Sequence, residues 1–252
     1  MQTALYTRRW GNGPHLLLAF HGFADTGAMY APLEKIIGDQ YTILAPDLPF
    51  HGQTQWPKAD FNQEDLLEWI NAVCTTEGKT RFSLMGYSFG ARLALALAPR
   101  LEQQLEKLYL LAPEGLGTQG MGLAQRTPMW LRRAFRTLFP AALGLAKSGL
   151  LPGSIARFLR ANLSTRARVA RTFACWYSMR HFPVFMDKSK AFLGKSRIFT
   201  CIVAGKNDPL MNQPALHRFA EGGPNIRLFL PEAGHRLDLT ELAPVFTAPF
   251  EI

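Results

Sequence analysis

Gly86-Tyr87-Ser88-Phe89-Gly90 stands between two runs of opposite preference, and that placement constrains this chain more than any other stretch. Before it, Phe82, Leu84 and Met85 make a short apolar strand with no room for a helix. After it, Arg92 to Leu101 is rich in Ala and Leu, both strong helix formers. A strand must therefore turn sharply into a helix at Ser88. In such a turn the serine takes a strained backbone conformation, and Gly86 and Gly90 are required because side chains there would strike the neighbouring strand and helix. The hydroxyl is left exposed at the strand end. The N–H of Phe89 points from the helix start toward the place where an oxyanion would form. A serine that merely caps a helix would satisfy the same string, so its partners decide the reading.

The rest of the chain alternates strand and helix patterns. Residues 3–10 read as an edge strand, and His15 to Phe20 as a strand apolar enough to be buried on both faces. Gly27 to Ile37 reads as a first helix, Tyr41 to Ala45 as a strand, and Phe61 to Cys74 as an amphipathic helix. Further strands are expected at Lys107 to Leu111, Arg197 to Ala204 and Ile226 to Leu230. This alternation predicts an α/β fold: a mainly parallel central sheet covered by helices on both faces, with ligand chemistry at the carboxyl ends of the strands.

Between the fifth and sixth of these strands the character changes. The formal net charge is +9, and residues 116–190 carry 13 Lys and Arg against a single acid, Asp187. The remainder has 15 basic and 18 acidic residues, so the whole excess of positive charge lies in one segment. Residues 116–193 are therefore expected to form a basic helical cap inserted into a core made of 1–115 and 194–252. Met129 to Phe139 should be an amphipathic helix of the cap, with Trp130 and Phe135 on its apolar side and Arg132, Arg133 and Arg136 opposite.

At 252 residues, nearly half of them apolar, the chain suits one large domain with an insertion. Its longest apolar runs fall far short of the ~20 residues of a membrane span, so no transmembrane segment is expected. The start, MQTALYTRRW, lacks the basic-then-apolar pattern of a secretory signal. Cys74, Cys175 and Cys201 have no metal-type spacing and fit reduced thiols. A cytoplasmic protein without metal or cofactor is the expectation.

Two late loops supply what Ser88 lacks. Gly205-Lys206-Asn207-Asp208-Pro209 follows the sixth strand and Pro231-Glu232-Ala233-Gly234-His235 the last. A serine hydroxyl needs a base within hydrogen-bond reach, and His235 can accept and return its proton. Asp208 would hold the imidazole in the right tautomer. Asp238 and Asp47 are the other acids to weigh, one too near His235 in sequence and the other ahead of the elbow. Acyl transfer also needs a second oxyanion donor, assigned to the N–H of Phe23 in His21-Gly22-Phe23. His21 and His51 are expected to brace their loops.

These motifs together, HGF, PDLPFHG, GYSFG, GKNDP and GH, resemble the α/β-hydrolase superfamily over nearly the whole chain. The resemblance implies an ester hydrolase working through an acyl-enzyme on a small or medium acyl ester. Phe50 departs from it, standing where the family usually has glycine, and only 17 residues follow His235, so the family's closing helix is expected short or missing. The cap suggests an anionic substrate, gripped by Arg, with Trp130, Phe135, Trp176 and Phe182 lining an acyl pocket. Locally, GYSFGARLAL also resembles the elbow of the menaquinone-pathway synthases that eliminate pyruvate to form succinyl-hydroxycyclohexadiene carboxylate. Arg92 matches their arginine four residues after the serine, which implies a lyase with an anionic substrate as the alternative. A third reading is lipase-like action or peripheral contact of the cap with anionic lipid. Nucleic acid is not an expected partner, for the basic residues form no recognisable binding motif.

Overall fold

The computed structural model describes residues 5–116 and 165–247. Among them seven strands form one sheet: β1 (Thr7–Trp10), β2 (His15–Phe20), β3 (Tyr41–Pro46), β4 (Phe82–Tyr87), β5 (Leu105–Leu111), β6 (Phe199–Val203) and β7 (Ile226–Phe229). Their spatial order is β1-β3-β2-β4-β5-β6-β7. β1 alone runs antiparallel, against β3, and all other described pairings are parallel. The sheet is the mainly parallel one expected. Of the expected residues 3–10, Thr7–Trp10 form β1, residues 3 and 4 lie outside the described residues, and the Tyr6 N–H donates to the Thr54 hydroxyl at 2.9 Å.

Strand residues alternate between two buried faces. Leu17, Ala19, Ile43, Ala45, Met85, Tyr109, Leu111 and Val203 point to one side, against Leu33, Ile37, Leu242, Val245 and Phe246. Leu18, Phe20, Leu84, Leu110 and Ile202 point to the other and are equally buried. There Phe20 meets Trp69 with ring centres 5.9 Å apart. Helices therefore cover both faces, and the near-continuous apolar strands follow from that.

The first helical stretch breaks in two. Gly27–Leu33 is a 3-10 helix containing Pro32, and a single turn, α1 (Glu34–Ile37), follows. Pro32 has no N–H to give an α-helical ladder. α2 (Gln63–Thr76) starts two residues later than its apolar pattern suggests. Asn62 and Asp65 there form a capping box, each side chain accepting from the other's backbone N–H. α3 (Phe89–Leu97) leaves β4 directly.

The described residues fall into two compact units. Residues 5–57, 62–116 and 181–247 form the first, and 58–61 with 165–180 the second. The first holds the sheet and α1 to α3. In the second, α4 (Arg166–Ser178) holds the 58–61 segment, the Phe61 N–H donating to Ser178 Oγ at 3.0 Å and Arg180 pairing with Asp60 at 2.7 Å. α5 (Met186–Lys195), α6 (Gln213–Ala220) and α7 (Ala243–Thr247) belong to the first unit. The expected helix Met129 to Phe139 lies outside the described residues. No helix among the described residues is long and apolar enough to cross a membrane.

Candidate active site

Ser88 sits at the junction of β4 and α3 with φ 49° and ψ −108°, a conformation that side chains rarely adopt. Its neighbours explain how the turn is tolerated. A Cβ on Gly86 would lie 2.3 Å from the Gly90 carbonyl oxygen, and one on Gly90 would lie 2.0 Å from that of Phe20. No side chain fits at either position. The backbone is then pinned on three sides: the Ser88 N–H donates to Leu111 O at 2.8 Å, and Ser88 O accepts from Arg92 and Glu114 N–H, each at 3.2 Å.

The loops after β6 and β7 are laced together beside it. Lys206 N–H donates to Pro231 O and Asn207 N–H to Ala233 O, both at 2.9 Å. Gly205 lets the two backbones touch, since a Cβ there would stand 2.2 Å from Ala233 O. The lacing brings Asp208 to His235. His235 Nδ1 lies 2.8 Å from Asp208 Oδ2 and its Nε2 3.1 Å from Ser88 Oγ. A carboxylate can only accept, so Nδ1 carries the proton and Nε2 is left to accept from the serine hydroxyl. Asp208 is buried, its second oxygen taking the Leu210 N–H at 2.9 Å.

The other two acids are engaged elsewhere. Asp238 is exposed and caps the turn Leu239–Leu242, and its bonds to Thr240 hold its carboxyl below the usual range. Asp47 is buried and accepts from the N–H groups of Gly27 and Gln53.

The loop after β2 closes over the elbow. A Cβ on Gly22 would fall 3.9 Å from Ser88 Cβ. The Phe23 and Phe89 rings meet edge to face, 6.4 Å between centres. Two buried histidines hold this loop. His21 donates from Nδ1 to Gly22 O at 2.7 Å and accepts the Leu48 N–H on Nε2 at 2.9 Å. Burial lowers its pKa to about 4. His51 accepts the Ala24 N–H on Nε2 at 3.2 Å, and its Nδ1 faces Pro49 O at 2.9 Å. Phe50 has φ +69°, which is why a glycine suits that position and why a phenylalanine there is strained.

Arg92 is buried one turn beyond Ser88, with Glu114 Oε1 at 3.6 Å from its Nη1. Its Nε and Nη2 have no hydrogen-bond partner among the described residues. Burial raises the Glu114 carboxyl to about 7 and lowers the Arg92 guanidinium. The sequence reading missed Glu114, because nothing local marks it as a partner for a residue 22 positions away. Trp176 lies in the second unit, edge to face with Phe173 at 6.0 Å. Trp130 and Phe135 lie outside the described residues. Among the described residues no cluster of His, Cys, Asp or Glu is arranged to hold a metal ion.

The fold has counterparts among known proteins. Residues 15–239 match the family described as alpha/beta hydrolase fold, and the chain belongs to it. It is similar to the 2-(acetamidomethylene)succinate hydrolase of Mesorhizobium japonicum, 31% identical over 96 residues, which are 38% of this chain and 34% of that protein. The chain spans about a third of the length of such curated relatives, 31% to 34%. Among solved structures, an esterase from Thermogutta terrifontis superposes with a TM-score of 0.67 at 18% identity, covering 92% of this chain and 86% of that one. An esterase from Exiguobacterium antarcticum reaches 0.67 at 19% identity, covering 97% and 94%.

Proposed function

We propose that this chain is a serine hydrolase that cleaves small or medium carboxylic esters through an acyl-enzyme. The observation that carries the reading is the continuous relay Ser88 Oγ, His235 Nε2, His235 Nδ1 and Asp208 Oδ2, with steps of 3.1 and 2.8 Å. As Ser88 Oγ attacks the ester carbonyl, its proton passes to His235. Asp208 holds the imidazole in the accepting tautomer and stabilises its charged form. The carbonyl oxygen gathers negative charge, which the N–H groups of Phe23 and Phe89 are assigned to stabilise. His235 returns the proton to the departing alcohol, then takes one from water as its oxygen attacks the acyl carbon, and hands that proton to Ser88 Oγ as the acyl–Oγ bond breaks and the acid leaves.

The likeness to esterases and to a 2-(acetamidomethylene)succinate hydrolase supports hydrolysis, and the basic character of residues 116–190 supports an anionic ester as substrate. The lyase alternative rests on Arg92, and Arg92 is buried with its Nη1 turned to Glu114 Oε1 at 3.6 Å. The pairing favours the hydrolase.

The experiment is labelling with a fluorophosphonate probe together with hydrolysis of p-nitrophenyl butyrate. Wild type should label at Ser88 and turn over the ester, while Ser88→Ala should lose both, with turnover down by about 10⁶. An unlabelled wild type that leaves the ester intact would overturn the reading. So would pyruvate release from the menaquinone precursor far faster than any ester cleavage.

A further inference from the structure

We infer that Tyr87, the residue before the proposed nucleophile, is a positioning residue that aims the His235 imidazole at Ser88. The inference rests on the hydrolase reading and adds a part to it. The Tyr87 hydroxyl donates to His235 O at 2.6 Å and accepts the Leu237 N–H at 2.9 Å. One oxygen thus grips the backbone on both sides of Arg236, the residue after the histidine.

That grip matters because of where His235 sits. Residues 230–238 belong to no helix or strand, and nothing stands within 4 Å of where a Gly234 Cβ would be. Asp208 and Ser88 hold the two ring nitrogens, and the bonds from Lys206 and Asn207 hold the loop ahead of His235, whereas Tyr87 acts on the backbone from His235 to Leu237. Tyr87 comes from the last position of β4, in register with Leu111 of β5, so the hydroxyl is mounted on the central strand of the sheet. Its ring also packs edge to face with the imidazole, 6.2 Å between centres. On the other side, Tyr87 Cδ1 would stand 3.2 Å from a Cβ on Gly22, so the same ring supports the loop that carries Phe23. Burial raises the Tyr87 pKa, which keeps the phenol protonated and able to donate. The base loop and the oxyanion loop are therefore both referenced to the side chain adjoining the nucleophile.

The test is a double-mutant cycle on p-nitrophenyl butyrate with wild type, Tyr87→Phe, His235→Ala and the double variant. Tyr87→Phe keeps the ring and loses the grip. It should lower kcat about 10-fold to 100-fold, the scale of a misplaced catalytic group, with KM within about twofold. In the His235→Ala background the same change should alter the residual rate less than about twofold, because no imidazole is left to aim. Full activity of Tyr87→Phe, or an equal loss in both backgrounds, would overturn the role. If Tyr87→Phe does not fold, hydrogen exchange of the Leu237 amide in the wild-type protein decides: protection supports the grip, and exchange at the rate of an open amide overturns it. Should wild type fail to cleave esters at all, the hydrolase reading falls by its own experiment, while the exchange measurement still judges the grip.

Discussion

His21 has no freedom to ionise without breaking its site, because one ring nitrogen must accept the Leu48 N–H. Burial sets its pKa at about 4 against 6.5 in an open chain. The unfolded chain therefore binds the proton more readily, so the stability owed to neutral His21 is complete above pH 6.5 and is lost as pH falls toward 4. At ~1.4 kcal/mol per pH unit the loss is on the order of 3 kcal/mol. Glu114 acts with the opposite sign. Its carboxyl is raised to about 7 from 4.5, so the folded state is penalised as pH rises through that window. Melting curves of wild type and His21→Gln separate the two: the variant should be less stable at pH 7 and, with Glu114 left to titrate by itself, should gain stability as pH falls from 6.5 to 4.5, where the two effects nearly cancel in wild type. Parallel curves would mean another group titrates there. At the proposed relay, His235→Ala should cost nearly as much turnover as Ser88→Ala, while Asp208→Asn should leave measurable activity, since the acid only orients and stabilises the base. An active Asp208→Asn beside an inactive Asp238→Asn would move the acid's role to Asp238.

Two elements show how local chemistry sets geometry. Replacing Gly90 by Ala drives a methyl group to 2.0 Å from the Phe20 carbonyl oxygen, a backbone atom with nowhere to go. Gly90→Ala should therefore fail to give soluble, folded protein. A well-folded, fluorophosphonate-reactive Gly90→Ala would contradict the elbow as described. The start of α2 offers the contrast. Asn62→Ala removes one half of a capping box and should cost about 1 kcal/mol in a denaturant titration, with kcat and KM unchanged. The elbow was legible in the sequence because its strand, turn and helix signals are contiguous. The break at Pro32 was equally visible in principle, since proline lacks the donor that an α-helix requires. The capping box was not read from the sequence: Asn62-x-x-Asp65 has the usual spacing but carries Asn and Asp in place of the common Ser or Thr and Glu or Gln.

At the scale of the whole molecule, charge is the property that divides the chain, with 13 basic residues against one acid in 116–190. If that segment meets an anionic ester, the triple substitution of Arg132, Arg133 and Arg136 by Gln should raise KM for carboxylate-bearing esters and weaken its dependence on salt. Exposed charges are screened within about 8 to 10 Å. Turnover at saturation and kinetics on neutral esters should not change. Kinetics on paired neutral and charged substrates, with and without anionic vesicles, check this. Indifference of both proteins to substrate charge would end the anionic-substrate reading, and a response to vesicles alone would replace it with a lipid surface.

The sequence by itself determined the α/β class, the strand order along the chain and the candidates Ser88, Asp208 and His235. Each of those rests on signals within a few residues: apolar runs, turn residues and glycines at fixed offsets. Only the tertiary structure decided which groups meet. Tyr87 grips a loop 148 residues away, Arg92 turns to Glu114, and Asp47 is consumed by Gly27 and Gln53. His21 and His51 were each expected to brace their loops, but their partners Leu48 and Ala24 were not legible. The reason is physical. Helix, strand and turn preferences act along the backbone and can be read from neighbours, whereas a hydrogen bond between loops depends on where a parallel sheet delivers its strand ends, and that is set by packing over the whole fold.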